Sequence, residues 1–319
     1  MTPRRALLAA PALLLVPATA RAWPDRSLSL MHGFGAGGAA DTICRLLAPP
    51  LGENLGKPVV VEARPGAGGN IASLALSRSP ADGQTLGLLT GSHGVAAAFG
   101  KANGFDPVDG FDWITIALRY AFVLVVRADS PYQDLPALIT AAKRGAGTVQ
   151  YGTLGPGSSH HLTGELLSAA ASIQMTPVPY RSDVAGLTGV LGGELPVMIS
   201  TTVGAMSMLQ DGKLRPLAVT SRKRSRQLPQ VPTVAETLPG YESTTWAGLV
   251  TPHGAPLPVQ ERLHGAMVAV LAQPALKQRL EELVDGEVAP TPRAETRGVL
   301  VAEIEKWKAL IAARGLTAE

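Results

Sequence analysis

Ser27-Leu28-Ser29-Leu30-Met31 runs into His32-Gly33-Phe34-Gly35-Ala36-Gly37-Gly38, and Asp41 follows at the start of a helical pattern. This stretch decides the fold. The short apolar run reads as a strand. The glycines read as a tight turn. Ile43, Leu46 and Leu47 recur at helical spacing behind it, until Pro49 and Pro50, which should kink or end the helix. A strand, a glycine loop and a helix in that order form the first half of an α/β crossover unit.

The unit recurs downstream. Pro58–Glu62 reads as a buried strand, and a second glycine loop, Arg64-Pro65-Gly66-Ala67-Gly68-Gly69-Asn70, leads into a helix through Ser77. Thr85–Thr90 is a strand ending in the loop Gly91-Ser92-His93-Gly94. Val149–Gly152 is a strand that enters a third glycine loop, Thr153-Leu154-Gly155-Pro156-Gly157-Ser158-Ser159, with the helix His160–Ala171 behind it. Between these lie the strand Ala121–Arg127 and the helix Pro136–Arg144. Gly186–Leu191, Leu195–Ser200 and Leu214–Thr220 continue the alternation. A Pro-rich connector, Gln227–Tyr241, precedes the strand Trp246–Val250 and two amphipathic helices, Pro258–Leu271 and Arg293–Arg314. The expectation is parallel sheets covered on both faces, arranged as two α/β lobes. Each lobe presents a glycine loop at the carboxyl end of a strand, where ligands bind in open α/β sheets.

Composition narrows the function. Hydrophobic residues make up 46% and charged residues 17%, too apolar for a disordered chain, while 35 Gly and 26 Pro are too many for a helical bundle. A single cysteine, Cys44, excludes a disulfide framework and a Cys-based zinc site. The formal charge of +3 comes from the leader: without Arg4, Arg5 and Arg21 the chain carries 25 basic and 25 acidic side chains. That balance gives no support to nucleic-acid binding. Arg4-Arg5, the apolar run Ala6–Val16 and Ala20-Arg21-Ala22 form a secretory signal with cleavage near Ala22, too short to span a bilayer. Whether export uses the general or the twin-arginine route stays open. The mature protein should be soluble and periplasmic.

Two readings of the glycine loops compete. Gly33, Gly35 and Gly38 fit a dinucleotide fingerprint, and Glu62 ends the next strand where a ribose-binding acid is expected. This alternative is a Rossmann-type NAD(P)-dependent oxidoreductase. Against it stand the export signal, Asp41 in the turn a pyrophosphate would occupy, and the presence of three loops where one cofactor needs one. The other reading is anion capture without a cofactor. Helix N-termini carry free N–H groups and partial positive charge, and glycines admit a carboxylate close to the backbone. Two such junctions facing each other would grip a small acid, with hydroxyl donors from Ser92, Thr153, Ser158 and Ser159. No Arg or Lys lies within residues 33–38 or 153–159.

The ordered set Trp23-Pro24-Asp25-Arg26, Phe34-Gly35-Ala36-Gly37-Gly38 with Asp41 and Arg45, Gly56–Glu62, Arg64–Asn70, Pro80-Ala81-Asp82-Gly83, Gly155–Leu162, Val178-Pro179-Tyr180, Gly212–Arg215, Leu217–Ser221, Val231–Glu236 and Trp246–Leu249 resembles the Bug family. These are the TctC-type solute receptors of tripartite tricarboxylate transporters. The resemblance implies a type II periplasmic-binding-protein fold with a ligand cleft between the lobes. It implies residues 23–121 as the first part of lobe 1, 122–241 as lobe 2, and 242–319 as the return to lobe 1. It implies a small organic acid as ligand, the membrane subunits of a tripartite transporter as partner, no cofactor and a monomer. By position, Phe34, Ala36, Gly37, Gly38 and Asp41 of the first loop and Thr153, Gly157, Ser158, Ser159 and His161 of the third are the expected ligand contacts, with Ser92 beside them.

The chain departs from the family pattern. His32-Gly33 replaces Val-Pro, Arg181-Ser182-Asp183 replaces Lys-Gly-Gly, and Pro196 and Ser200 stand where the family commonly carries an acid. The missing acid disfavours an amino-acid ligand. Asp41 reads as a cap or brace of its loop, or as a ligand contact. His160, His161 and Glu165 raise a metal reading, but His161 and Glu165, four apart on one helix face, lack a third ligand with helical spacing, so no metal is expected and these residues read as helix-start packing or ligand-side hydrogen bonding. His93 reads equally as cleft lining or surface. Arg222, Lys223, Arg224 and Arg226 read as a solvated surface or a docking patch for a membrane partner. No Gly-x-Ser-x-Gly elbow, P-loop lysine or orienting acid for Ser158 and His161 is present, so catalysis has no support. A receptor fold retained as a sensor, without a transporter, remains a further possibility.

Overall fold

A computed structural model describes residues 23–316. The leader and its cleavage site lie outside the described residues. In chain order the elements are β1 (Leu28–His32), α1 (Ala39–Leu55), β2 (Val59–Ala63), α2 (Asn70–Ser77), β3 (Thr85–Thr90), α3 (Gly91–Ala98) and β4 (Phe111–Arg127). Then follow α4 (Leu135–Lys143), β5 (Val149–Thr153), α5 (Ser159–Ala171), β6 (Met175–Pro179), α6 (Asp183–Gly192), β7 (Val197–Thr201), α7 (Thr202–Gln210) and β8 (Leu214–Val219). The last are α8 (Val234–Thr237), β9 (Thr244–Pro252), α9 (Leu257–Leu271), α10 (Pro274–Val284), β10 (Glu287–Val288) and α11 (Arg293–Arg314).

The strands run in the order β2-β1-β3-β9-β4-β7-β5-β6, with β8 and β10 also paired to β4. The sheet is mixed, which corrects the expectation of all-parallel sheets. β1 pairs in parallel with β2 and β3, and β5 with β6 and β7, as crossover units require. β9, however, is antiparallel to β3 and β4, and β4 is antiparallel to β7 and β8. The cause is β4 itself. Residues 111–121 of this strand pair with β9, and residues 122–127 lie between β7 and β8. One strand therefore runs out of the first lobe and into the second, against the local strand direction.

Each lobe has its own apolar core. In the first, Leu28, Leu30, Leu86 and Leu88 of the sheet meet Ile43, Leu47 and Leu51 of α1 and Leu263, Met267 and Val270 of α9. In the second, Phe122, Leu124, Val126, Tyr151 and Ile199 meet Leu138 of α4 and Leu167 of α5. Each such fully buried side chain contributes roughly 1.5–3 kcal/mol relative to exposure. At the far end α11 joins both halves, because Trp307 packs with Val95 of α3 and Leu162 of α5.

Two local readings change. α1 continues through Pro49 and Pro50 to Gly56, whose left-handed backbone caps it. The prolines remove two backbone donors, but Arg45 and Pro49 face solvent while Leu47, Leu51 and Leu55 anchor the opposite face in the core. Gly91-Ser92-His93-Gly94 is not a loop but the first turn of α3, held by Val95 and Ala96 in the core. Among the described residues, no helix is long and apolar enough to cross a membrane.

Candidate ligand-binding cleft

A narrow cavity lies in the cleft between the lobes. Five helices begin on its wall. Gly38, Ala39 and Ala40 bring the start of α1, Thr90 and Ser92 that of α3, Ser159 and His160 that of α5, Ser182 and Asp183 that of α6, and Thr201 that of α7. Phe34, Tyr120, Phe122 and Leu154 supply apolar wall, and no Lys or Arg lines it. Main-chain dipoles therefore provide most of the positive potential here.

The five helix starts are not equivalent. Gly38 caps α1 with no side chain, and Thr90 makes no side-chain cap for α3. Ser158, Ser182 and Thr201 cap α5, α6 and α7 with their own hydroxyls. The first-lobe helices thus keep more of their initial N–H groups available than the second-lobe helices do.

Asp41 does not face the cavity. Its carboxylate turns back, accepting the Gly37 N–H at 3.1 Å and the Arg45 Nε at 3.0 Å, with His32 Nε2 at 3.3 Å. Burial pushes the Asp41 carboxyl up, but the Arg45 and Gly37 hydrogen bonds and the Arg45 charge outweigh it, so the net direction is down. Burial lowers His32 against the pull of Asp41, which leaves the imidazole neutral at neutral pH. Asp41 braces the loop from behind. Ala36 and Gly37 are exposed on the outer side of the same loop. Gly35 makes closure possible, since a Cβ there would stand 2.9 Å from the Ser182 Cβ of the opposite lobe.

The third loop is built as a closed network. Ser158 Oγ accepts the His161 N–H at 3.2 Å, and His161 Nδ1 accepts the Gly157 N–H at 3.3 Å. Thr153 Oγ1 accepts the Gly155 N–H at 3.1 Å. His161 stacks on Phe99 and lies 3.7 Å from Glu165, which in turn accepts from the Tyr151 hydroxyl. Burial lowers its pKa to about 4. Ser92 Oγ reaches across the cleft to accept the Ser159 N–H at 3.0 Å, and the Ser159 hydroxyl meets Thr245 at 3.3 Å. Of the sequence-derived contacts, Phe34, Gly38, Ser92 and Ser159 lie on the cavity wall. Ala36, Gly37, Asp41, Thr153, Gly157, Ser158 and His161 lie behind it and shape it.

Sequence reasoning named His160 and Asp183 separately but did not bring them together. His160 is buried against Phe122, with ring centroids 4.6 Å apart, and its Nε2 is 3.3 Å from Asp183 Oδ1. No other hydrogen-bond partner stands at either ring nitrogen among the described residues. Asp183 accepts the Ser200 hydroxyl at 3.0 Å, and the Thr201 N–H and hydroxyl at 3.3 Å each. Burial pushes this carboxyl up, yet His160, Ser200 and the Thr201 N–H together bring it below its ordinary range. The acid absent at position 200 is thus replaced by one that reaches Ser200 from α6. The signal was the unusual Arg181-Ser182-Asp183, but nothing in the sequence showed that α6 and β7 begin side by side.

The other singled-out residues sit elsewhere. His93 is buried among Phe105, Phe111 and Trp113, with Ser73 and the Pro107 carbonyl on its ring nitrogens. It lines a separate small space with Gly68 and Gly69 of the second glycine loop. Trp246 is core, edge-on to Trp113 and bonded to Glu303. Arg222 and Arg224 pair with Glu242 and Glu236 on the surface.

A family model described as tripartite tricarboxylate transporter family receptor, TctC, matches residues 43–316. A UPF0065 protein from the tcbD-tcbE intergenic region of Pseudomonas sp. (strain P51) is 32% identical over 315 residues, covering 97% of this chain and 94% of that protein. Among solved structures, R. palustris Rpa4515 with adipate is 30% identical with a TM-score of 0.87, covering 92% of this chain and 99% of that one. MatC from Rhodopseudomonas palustris with bound malate is 26% identical with a TM-score of 0.84, covering 91% and 100%.

Proposed function

The chain belongs to the TctC family of tripartite tricarboxylate transporter receptors, and from that premise we propose that it captures a small organic carboxylate in the periplasm and presents it to a membrane transporter. The two lobes close on the ligand, and no bond is made or broken. One observation supports this most directly. The uncapped start of α1 faces the cleft cavity, where no Lys or Arg stands among the described residues, so amide groups of Gly38, Ala39 and Ala40 are the available anion donors. The relatives solved with adipate and malate carry organic acids in the same fold.

The lobes divide at residue 121 and again near residue 242, the leader is removed near Ala22, and the receptor works as a monomer beside its membrane subunits. Phe34, Gly38, Ser92 and Ser159 touch the ligand, and the remaining loop residues hold their shape. The dinucleotide alternative gains nothing from the geometry. Asp41 occupies the Gly37 N–H that a pyrophosphate would need, and Glu62 is engaged by Arg64 and Ser29.

Mass spectrometry of the ligand released from purified protein tests the reading, followed by a thermal-shift screen of organic acids. A cognate acid at a hundredfold excess over its Kd stabilises the protein by about 2.7 kcal/mol. Stabilisation by NADH and by no organic acid would defeat the proposal.

A further inference from the structure

The cavity contains a carboxylate of its own. Asp183 opens α6 but sends its side chain to the start of α7, where Ser200 and Thr201 hold it. The space it occupies is made for it: a Cβ on Gly204 of α7 would lie 2.8 Å from the Asp183 Cβ. The α7 start is therefore already filled by an internal acid. Its Oδ2 accepts only from the Thr201 hydroxyl at 3.3 Å, and it points toward Gly38, where a Cβ would stand 3.7 Å away. Beside it, buried His160 has no other hydrogen-bond partner at either ring nitrogen among the described residues. An imidazole nitrogen that carries a proton donates, and an ionised carboxylate only accepts. A second ligand carboxylate placed here would meet the Asp183 carboxylate at close range, and among the described residues His160, rather than an Arg or Lys, is the wall group beside it.

We propose that Asp183 and His160 set the ligand class: a monocarboxylate whose other end carries a hydrogen-bond donor, a hydroxyl or an ammonium, in place of a second carboxylate. This rests on the carboxylate-capture reading and narrows it. The ligand carboxylate takes the uncapped starts of α1 and α3. Its donor end hydrogen-bonds Asp183 Oδ2 and a ring nitrogen of His160. His160, Ser200 and the Thr201 N–H hold the Asp183 carboxyl below its ordinary range despite its burial.

The test is calorimetric titration of the full mature protein with chain-length-matched acids. Malonate, succinate and glutarate are compared with β-hydroxypropionate, γ-hydroxybutyrate, γ-aminobutyrate and δ-aminovalerate. At the best chain length the donor-bearing acid binds at least about tenfold more tightly than its dicarboxylate partner. Asp183→Asn, with its fold checked by circular dichroism, narrows or reverses that ratio. His160→Gln is the second variant and narrows it less. A wild-type preference for dicarboxylates overturns the inference and leaves carboxylate capture intact, as does an unchanged ratio in folded, binding-competent Asp183→Asn. Failure of every acid in both series to bind wild-type protein overturns both.

Discussion

The first and third glycine loops look alike in sequence and are opposites in the structure. Both follow a strand in a parallel pair and both open a helix on the cavity wall. The first ends at Gly38, which has no side chain to offer, and its acid Asp41 is turned away to hold Gly37. The third ends at Ser158, which satisfies its own helix, while Ser92 of the other lobe takes the Ser159 N–H. The same strand-to-helix turn thus leaves one helix start uncapped and latches the other. Capping chemistry, rather than glycine content, separates the two.

The contrast can be broken most sharply at Gly38. Gly38→Leu places a side chain in the cavity mouth without straining the backbone, whose φ is −79°. The ligand-induced thermal shift should vanish, an affinity loss of at least about a hundredfold, while the unliganded protein stays folded. Retained affinity would remove the first loop from the ligand.

Acid should act on the third loop. His161 must be neutral to accept the Gly157 N–H, and burial holds its folded pKa at about 4 against an ordinary 6.5. Between those values the unfolded chain binds a proton that the folded chain does not. Stability therefore falls as pH drops from about 6.5 to about 4. Buried His93, also lowered to about 4, adds to the slope. Melting temperature measured across that window should decline by several degrees, and His161→Gln should flatten part of the decline. A flat profile in the wild type would contradict the buried neutral imidazoles.

Asp41→Ala removes the acceptor of Gly37 and Arg45 and the neighbour of buried His32. Stability should fall by about 1–3 kcal/mol in denaturant titration. Affinity should fall about tenfold as the loop loses its shape. Ser158→Ala is the mildest. Losing a cap costs about 1 kcal/mol of stability, and affinity should stay within about threefold. A larger effect on binding than on folding would return the third loop to the role of ligand donor.

Much of this was legible in the sequence. The three glycine loops, the ordered motifs and the strand-helix alternation read directly because each is local. Three features did not. Gly91 and Gly94 disguised the first turn of α3, which is held by burial of Val95 and not by propensity. Pro49 and Pro50 looked like a helix end because the apolar stripe through Leu51 and Leu55 was not weighed against them. The pairing of Asp183 with His160 was silent because it depends on α5, α6 and β7 converging from separate crossovers. Contacts of that kind carry no spacing rule.

The shared strand β4 has a last consequence. Its residues 111–121 are zipped into one half of the molecule and residues 122–127 into the other. Neither half can melt without tearing a ribbon out of its neighbour. Calorimetry should therefore record a single heat-absorption peak, and a chain severed between Tyr120 and Phe122 should yield no independently stable piece.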